Sequence, residues 1–281
     1  MIIDFKMKPP IPKWEELFKA GRNPVTKLFS NLPGFEPTTA ETFEDVIKEM
    51  DETGITQAVI LGRNNSPGSS NDELYEFLKS DDNDRFHGFI GIEDLTVEEA
   101  AETIEKYGPT GVFSGVAVAP TKIEPHTQID DDSLHPIFHA CMKYDLSFCI
   151  TLSMLLTLND DEADYDYINP KHLIPILQRY PEMKVIVSHA GWPFIQEGIA
   201  VAMHFRNLYL CPDFYMGFPG SEALAEAADK GLGEQLLYAS CYPNAPFDYA
   251  LAQYRKCFSE EVMDNILYKN AEKILKRQIL K

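Results

Sequence analysis

Short apolar runs alternate with longer amphipathic segments along almost the whole chain. The runs are rich in β-branched and aromatic residues and nearly continuous in their hydrophobicity, which is typical of strands buried on both faces of a parallel sheet. The predicted strands are Met1–Phe5, Gln57–Gly62, Gly88–Ile92, Thr110–Val118, Leu146–Leu152, Lys184–Ser188, Asn207–Cys211 and Gln235–Ser240.

Helices are predicted in the gaps between these strands. Thr96 is followed three residues later by Glu99, a capping-box pattern, and Gly54 is a natural C-terminal cap for the segment before it. The predicted helices are Thr42–Glu52, Thr96–Tyr107, Asp131–Tyr144, Pro170–Arg179, Pro193–Met203, Ser221–Lys230, Asp248–Phe258 and an outer C-terminal helix, Glu260–Lys276.

Strands that alternate with helices in this way predict one α/β domain over residues 1–281, a (β/α)8 TIM barrel. A doubly wound open sheet is the alternative, but no Gly-x-Gly-x-x-Gly follows an early strand, which argues against a dinucleotide-binding version. The long Pro-rich and aromatic segment after strand one, residues 9–37, is predicted to be a lid or pocket wall. A loop packed over the barrel or used in dimer contacts is equally consistent with this segment.

Charge and cysteine content narrow the classes of partner. The chain has 25 Lys and Arg against 44 Asp and Glu, a formal net charge of −19. So acidic a surface repels phosphate backbones and argues against a nucleic-acid partner. The sequence has no apolar run long enough for a membrane span and no basic and apolar leader, so we expect a cytoplasmic protein. The five cysteines include no C-x-x-C pair, so we expect reduced thiols.

Polar residues follow the strands at the edge where barrel enzymes place their chemistry. Alternate residues of a strand share a side, so Lys6 and Lys8 are predicted to project together and to bind a carboxylate or phosphate with Arg63. The candidate catalytic residues are Lys6, Lys8, His189 and Asp213. The candidate substrate-binding residues are Arg63, Asn64, Glu93, Tyr215, Cys241 and Tyr242.

Three motifs carry a family resemblance: Asp4-Phe5-Lys6-Met7-Lys8, Ser188-His189-Ala190-Gly191 and Ser240-Cys241-Tyr242-Pro243. Together with the closing Asn270-Ala271-Glu272-Lys273, they resemble the amidohydrolase superfamily, in the branch of aminocarboxymuconate-semialdehyde decarboxylase and the resorcylate decarboxylases. That family opens with Asp-x-His-x-His and has Ser-Asp-Tyr-Pro near its end. Here Lys6 and Lys8 stand in place of metal-binding histidines, and Cys241 stands in place of the aspartate.

The lysines determine the cofactor that we expect. A protonated ammonium has no lone pair, and zinc sites are built from His, Cys and carboxylates, so we expect no cofactor. The alternative is one divalent metal such as zinc, bound by His189 with Asp213 and Glu93. Cys241 is interpreted as a small filler at the barrel mouth, with a thiolate nucleophile as its alternative.

The resemblance implies an enzyme that hydrolyses a small anionic substrate without a metal, with Lys6, Lys8 and Arg63 binding the charge and His189 and Asp213 moving protons. A decarboxylase or other lyase acting on a carboxylated ring or diene is an alternative, and a lysine Schiff base could serve it as electron sink. A non-catalytic binding protein for an acidic metabolite and a hydrolase with a reduced metal site are further alternatives. The resemblance leaves a homodimer open, since barrels of this family often dimerise.

Overall fold

The computed structural model describes residues 1–8, 32–64, 70–81, 84–119, 122–125, 127–152 and 165–275. Its strands are β1 (Ile3–Met7), β2 (Gln57–Leu61), β3 (Phe86–Gly91), β4 (Leu95–Thr96), β5 (Phe113–Val118), β6 (Ile123–Glu124), β7 (Ser147–Thr151), β8 (Val185–Ser188) and β9 (Leu208–Cys211). Its helices are α1 (Phe43–Thr53), α2 (Asn71–Lys79), α3 (Val97–Tyr107), α4 (His135–Lys143), α5 (Ile174–Arg179), α6 (Ile195–His204), α7 (Glu222–Ala228), α8 (Phe247–Cys257), α9 (Glu260–Asp264) and α10 (Asn270–Ile274).

A curled parallel sheet forms the centre of the molecule. In the described chain it has seven strands in the order β1-β2-β3-β5-β7-β8-β9, while β4 and β6 pair separately. The predicted eighth strand is present as a closing segment, residues 235–242, which joins β9 to β1 through single bridges. Phe5 N–H donates to Tyr238 O, and Leu237 N–H donates to Leu210 O, so the segment pairs with both edge strands. The predicted barrel class is confirmed.

The barrel interior is apolar below the strand ends. Phe5 and Phe89 meet edge to face there, 5.8 Å between ring centroids. From below, α10 contributes Ala271 and Ile274 to the same apolar cluster. The lower part of the barrel is therefore a packed core, and polar chemistry is confined to the opposite end, the barrel mouth.

Helix ends confirm the caps predicted at Thr96 and Gly54 and show a further one at Thr42. Thr42 and Thr96 each accept from the backbone N–H three residues on and complete a capping box, and Gly54 ends α1 in the left-handed conformation. The predicted C-terminal helix is instead divided into α9, a π-helical turn (Asn265–Lys269) and α10. Its predicted last residue, 276, lies outside the described residues. None of the helices in the described ranges is long and apolar enough to cross a membrane.

Candidate active site

Asp4 fixes the end of β1 against the closing segment. Its carboxylate is fully buried and accepts the backbone N–H of Lys6 at 3.0 Å and that of Ser240 at 3.1 Å. It also accepts a hydrogen bond from the Ser240 hydroxyl. The register of the pairing between β1 and β2 shifts between Asp4 and Met7. Burial raises the pKa of Asp4 to about 7, although these hydrogen bonds act in the opposite direction. Asp4 therefore positions the segments that carry Lys6 and Cys241.

Lys6 lies at the centre of a buried polar network. Its Nζ donates to Ser188 Oγ at 2.6 Å and lies 3.0 Å from His189 Nε2 and 3.4 Å from Asp213 Oδ2. Ser188 in turn donates to Asp213 Oδ2 at 3.1 Å. His189 Nδ1 lies 2.7 Å from the same carboxylate oxygen. The network brings together residues from the ends of β1, β8 and β9, as the barrel prediction requires.

The charges of this network stabilise one another. Burial lowers the pKa of Lys6, but Cys241 and Asp213 oppose that effect, and the net pKa lies above its ordinary value. Burial acts to raise the pKa of Asp213, but the Lys6 ammonium and His189 hold it well below its usual range. Burial, with the Lys6 charge, lowers the pKa of His189 to about 4. Around neutral pH the network therefore contains an ammonium, a carboxylate and a neutral imidazole.

Lys8 and Arg63 complete a cationic cluster with Lys6 at the barrel mouth. Burial, then Arg63 and Lys6, lower the pKa of Lys8 to about 8. Arg63 Nη1 lies 3.7 Å from Glu93 Oε2, and Glu93 is buried. Among the described residues the Lys8 ammonium makes no ion pair or side-chain hydrogen bond, whereas Lys6 and Arg63 each face a carboxylate.

Close backbone packing of β2 against β3 positions Arg63. A Cβ on Gly62 would lie 2.4 Å from Phe89 O, and one on Gly91 would lie 2.5 Å from the Gly62 carbonyl carbon, so only glycine fits at either place. The buried Asn71 side chain bonds both the N–H and the C=O of Gly91 at 2.8 Å. These contacts hold the ends of the two strands together beneath Arg63 and Glu93.

Three residues at the mouth have left-handed backbone conformations that non-glycine residues rarely adopt. His189 directly follows β8 and has φ 64°, Asp213 lies two residues after β9 and has φ 54°, and Cys241 in the closing segment has φ 62°. Such a conformation costs about 1–3 kcal/mol per residue and persists where the surrounding structure imposes it, most often at functional sites. Asp84, Asp94, Asp145 and Ala190 also have a positive φ, so the conformation supports a functional role here only together with the side-chain chemistry.

An aromatic wall borders the network on one side. Tyr215 is buried and its ring centroid lies 4.5 Å from the His189 ring and 5.9 Å from the Trp192 ring. Phe35 belongs to the same apolar cluster as Tyr215 and Cys241. Residues 9–31 of the predicted lid lie outside the described residues, but the end of that segment, at Phe35, contacts the mouth as a pocket wall would.

The structure places one predicted binding residue elsewhere and adds one that the sequence prediction omitted. Tyr242 points outward, where its hydroxyl donates to Glu49 Oε2 at 2.8 Å and its ring stacks on Phe247. Asn64 is partly buried after β2, and within the described part of the chain no hydrogen bond joins its side chain to the network. Ser188, which the sequence prediction omitted, accepts a hydrogen bond from Lys6 and donates one to Asp213. Its position directly before His189 at the end of a strand was the sequence signal that could have identified it.

His189, Asp213 and Cys241 form a donor group suited to a metal. One ligand atom of each lies within 4.8 Å of the others, and all three residues are buried. His189 Nδ1 is buried and makes no hydrogen bond of good geometry, although it lies 2.7 Å from Asp213. Imidazole, carboxylate and thiolate are the donors of zinc sites, so the residues fit a divalent metal. Glu93, the expected third ligand, faces Arg63 instead.

Comparison with solved structures shows a TIM barrel throughout. The chain is similar to an uncharacterised TIM-barrel protein, Bb4693 from Bordetella bronchiseptica, with 29% identity, 97% of each chain covered and a TM-score of 0.84. It also resembles a probable 2-pyrone-4,6-dicarboxylic acid hydrolase from Acinetobacter baumannii with citric acid bound, at 14% identity, 97% and 98% coverage and a TM-score of 0.64.

A third similar structure contains a metal. It is a dihydroxybenzoic acid decarboxylase from Polaromonas sp. JS666 with bound manganese and the inhibitor 2-nitroresorcinol, at 16% identity, 97% and 96% coverage and a TM-score of 0.64. No curated protein sequence matches the chain.

These findings correct the expectation of a site without a cofactor. That expectation considered only the two lysines, whereas the fold brings the donor group together from three separate strand ends. The manganese-containing neighbour has the same fold. The absence of the opening histidines therefore does not remove the capacity to bind a metal.

A family model described as amidohydrolase matches residues 10–277, nearly the whole chain. This match agrees with the motifs around His189 and Asn270 and with the barrel itself. The chain belongs to the amidohydrolase family.

Proposed function

We propose that this protein is an enzyme that decarboxylates a small carboxylated substrate at the barrel mouth. The observation that supports this most is the cationic cluster of Lys6, Lys8 and Arg63. In the described residues, Lys6 and Arg63 each face a carboxylate, and Lys8 is available for an anionic ligand. Charge-assisted bonds to a carboxylate are the strong interactions that such a cluster provides.

The arrangement around His189 favours decarboxylation over attack by water. His189 Nε2 lies against the Lys6 ammonium and its Nδ1 lies against Asp213, so neither ring nitrogen is directed at a substrate water. Loss of a carboxyl group needs no activated water. It needs a site that holds the carboxylate, stabilises the electron pair left on carbon and returns a proton.

The roles follow from these contacts. Lys8 and Arg63 bind the substrate carboxylates, and Lys6 presents a positive charge to the developing anion. Asp213 keeps Lys6 protonated and in place, with Ser188 fixing the pair. When bound by His189, Asp213 and Cys241, a divalent metal supplies Lewis-acid stabilisation of a substrate oxygen. Tyr215 packs against the His189 ring and fixes it beside these charges.

Hydrolysis, the reaction expected from the sequence, is the second candidate. The donor group favours it, because a metal held by imidazole, carboxylate and thiolate commonly lowers the pKa of a bound water. One similar structure, a probable 2-pyrone-4,6-dicarboxylic acid hydrolase, belongs to the hydrolase class. Another, a dihydroxybenzoic acid decarboxylase, belongs to the decarboxylase class.

A panel of small carboxylates tests the proposal. The metal-supplemented protein is incubated with hydroxybenzoates, unsaturated dicarboxylates, oxo acids and carboxylated lactones. Carbon dioxide release, which reports decarboxylation, and acid release, which reports hydrolysis, are followed separately. We expect carbon dioxide release, and a loss of at least about tenfold in kcat/KM for Arg63→Met, because a charge-assisted bond contributes about 1.5 kcal/mol or more. Lys143→Met is the matched control, because Lys143 on α4 forms an exposed ion pair with Glu105 on α3.

Each other outcome identifies a different function. Acid release without carbon dioxide would establish the hydrolase. Binding of carboxylates without turnover would establish the non-catalytic binding protein and overturn the proposal. An Arg63→Met protein as active as the Lys143→Met control would show that the cationic cluster does not hold the substrate.

A further inference from the structure

Among the described residues, Lys8 is the cation of the mouth whose side chain has no protein partner. Its backbone N–H donates to Tyr242 O at 2.9 Å, which fixes the start of the side chain against the closing segment. The side chain is partly buried, and within the described residues its amine has neither a carboxylate nor a hydrogen-bond partner. Lys6, by comparison, is held by Ser188 and Asp213.

The surroundings of Lys8 favour its neutral amine. Lys6 and Arg63, two neighbouring cations, disfavour a third positive charge, and burial acts in the same direction. A lysine that is desolvated or next to another cationic group is an activated nucleophile toward carbonyl carbon. A substantial part of the amine is then neutral slightly above neutral pH, whereas Lys6 stays protonated.

We propose that Lys8 forms an imine with the carbonyl of a 3-oxo carboxylic acid, and that this imine is the electron sink for decarboxylation. This inference rests on the proposed function and specifies its substrate class. With such a substrate Lys8 engages the carbonyl and not a carboxylate, so the guanidinium of Arg63 is the fork that holds the carboxylate. The Lys6 ammonium adds positive charge beside Lys8.

The reaction takes up one proton from the solvent, and the water released when the imine forms is used again when it is hydrolysed. Lys8 ammonium and the substrate carbonyl give a protonated imine and one water. The bond between the carboxyl carbon and the neighbouring carbon then breaks, its electron pair moves to the iminium nitrogen, and carbon dioxide leaves. The resulting enamine takes one proton on carbon, and a water molecule hydrolyses the iminium to release the ketone and the Lys8 ammonium.

Borohydride trapping with acetoacetate as the probe tests this step. The full-length protein is treated with sodium borohydride in the presence of acetoacetate, of 3-hydroxybutyrate, which has no carbonyl, or of no ligand. It is then digested and analysed by peptide mass spectrometry. We expect a reduced adduct on the peptide that carries Lys8, and at least a tenfold loss of decarboxylase activity, with acetoacetate only. Lys143→Met should give the same adduct, and Lys8→Arg should give none.

The possible failures are distinguishable. An adduct on Lys6 or on another lysine would overturn the inference. So would the absence of any adduct with an oxo acid that the protein decarboxylates. Carbon dioxide release from carboxylates without any trapped adduct would leave the proposed function standing and remove only the imine. Peptide mapping of the wild-type protein identifies the modified lysine directly, so the result stands even if the Lys8→Arg variant fails to fold.

Discussion

Replacement of Lys6 by methionine removes the charge that compensates the buried Asp213. The ammonium lies 3.4 Å from Asp213 Oδ2, and the exposed fractions of the two side chains are 7% and 0%. Removing one partner of a buried pair costs about 3–5 kcal/mol, because the other charge stays buried without compensation. At roughly 2–4 °C for each kcal/mol in a protein of this size, the Tm should fall by roughly 6–20 °C.

The pH dependence distinguishes this cause from a general packing defect. In the wild type the pKa of Asp213 lies well below its usual range, so its contribution to stability is present above the unfolded pKa of about 4 and is lost as the pH falls through the folded pKa. Without Lys6, burial should raise the pKa of Asp213 above its usual value. The loss of stability in Lys6→Met should then be large at pH 8 and smaller at pH 5, where Asp213 becomes protonated.

Thermal and urea unfolding at both pH values measure this effect. Lys143→Met is the matched control, since an exposed ion pair contributes about 1 kcal/mol or less. A Lys6→Met protein no less stable than Lys143→Met at pH 8 would refute the reasoning. So would a loss of the same size at both pH values.

Three further predictions concern zinc binding, the buried carboxyl group of Asp4 in β1 and the outward-facing Tyr242. Lys6→Met should bind zinc at least about tenfold more tightly in titration calorimetry, because the ammonium next to His189 Nε2 repels a cation; unchanged affinity would contradict this. Because burial raises the pKa of Asp4 to about 7, protonated Asp4 stabilises the folded state, and this stabilisation should be lost as the pH rises from about 4 to 7. Asp4→Asn should remove this pH dependence of the free energy of unfolding, measured with urea. Tyr242→Phe should leave kcat/KM within about twofold, because its hydroxyl bonds Glu49 away from the mouth, and a tenfold loss would place Tyr242 back in the site.

Much of the fold could be predicted because its signals are local. Buried strands are continuous in hydrophobicity, and the Thr96–Glu99 capping box appears in the structure as predicted. The same pattern at Ser70 and Glu73 begins α2, a helix that the prediction omitted although its signal was present. The closing Asn270 proves to be structural, since its amide donates to Gly233 O and Leu236 O and ties α10 to the barrel.

The site could be predicted less completely because its geometry depends on distant segments. The position of His189 and Asp213 after strands was enough to select them from the sequence. It did not show that the group of possible metal ligands would include Cys241 in place of Glu93. The left-handed backbone at these positions has only a weak sequence signal, since histidine and aspartate adopt it more often than most other non-glycine residues but still rarely. Which carboxylate faces Lys6 likewise depends on how the ends of β1 and β9 meet.

The central claim is that the cationic cluster recognises a carboxylate. The most direct test is a calorimetric titration of the protein with benzoate and with benzamide, which has the same shape without the charge. Benzoate should bind at least about tenfold more tightly, and the difference should fall to about threefold or less in Arg63→Met, because each charge-assisted contact contributes about 1.5 kcal/mol or more. Equal affinities for the two ligands in the wild-type protein would contradict the claim.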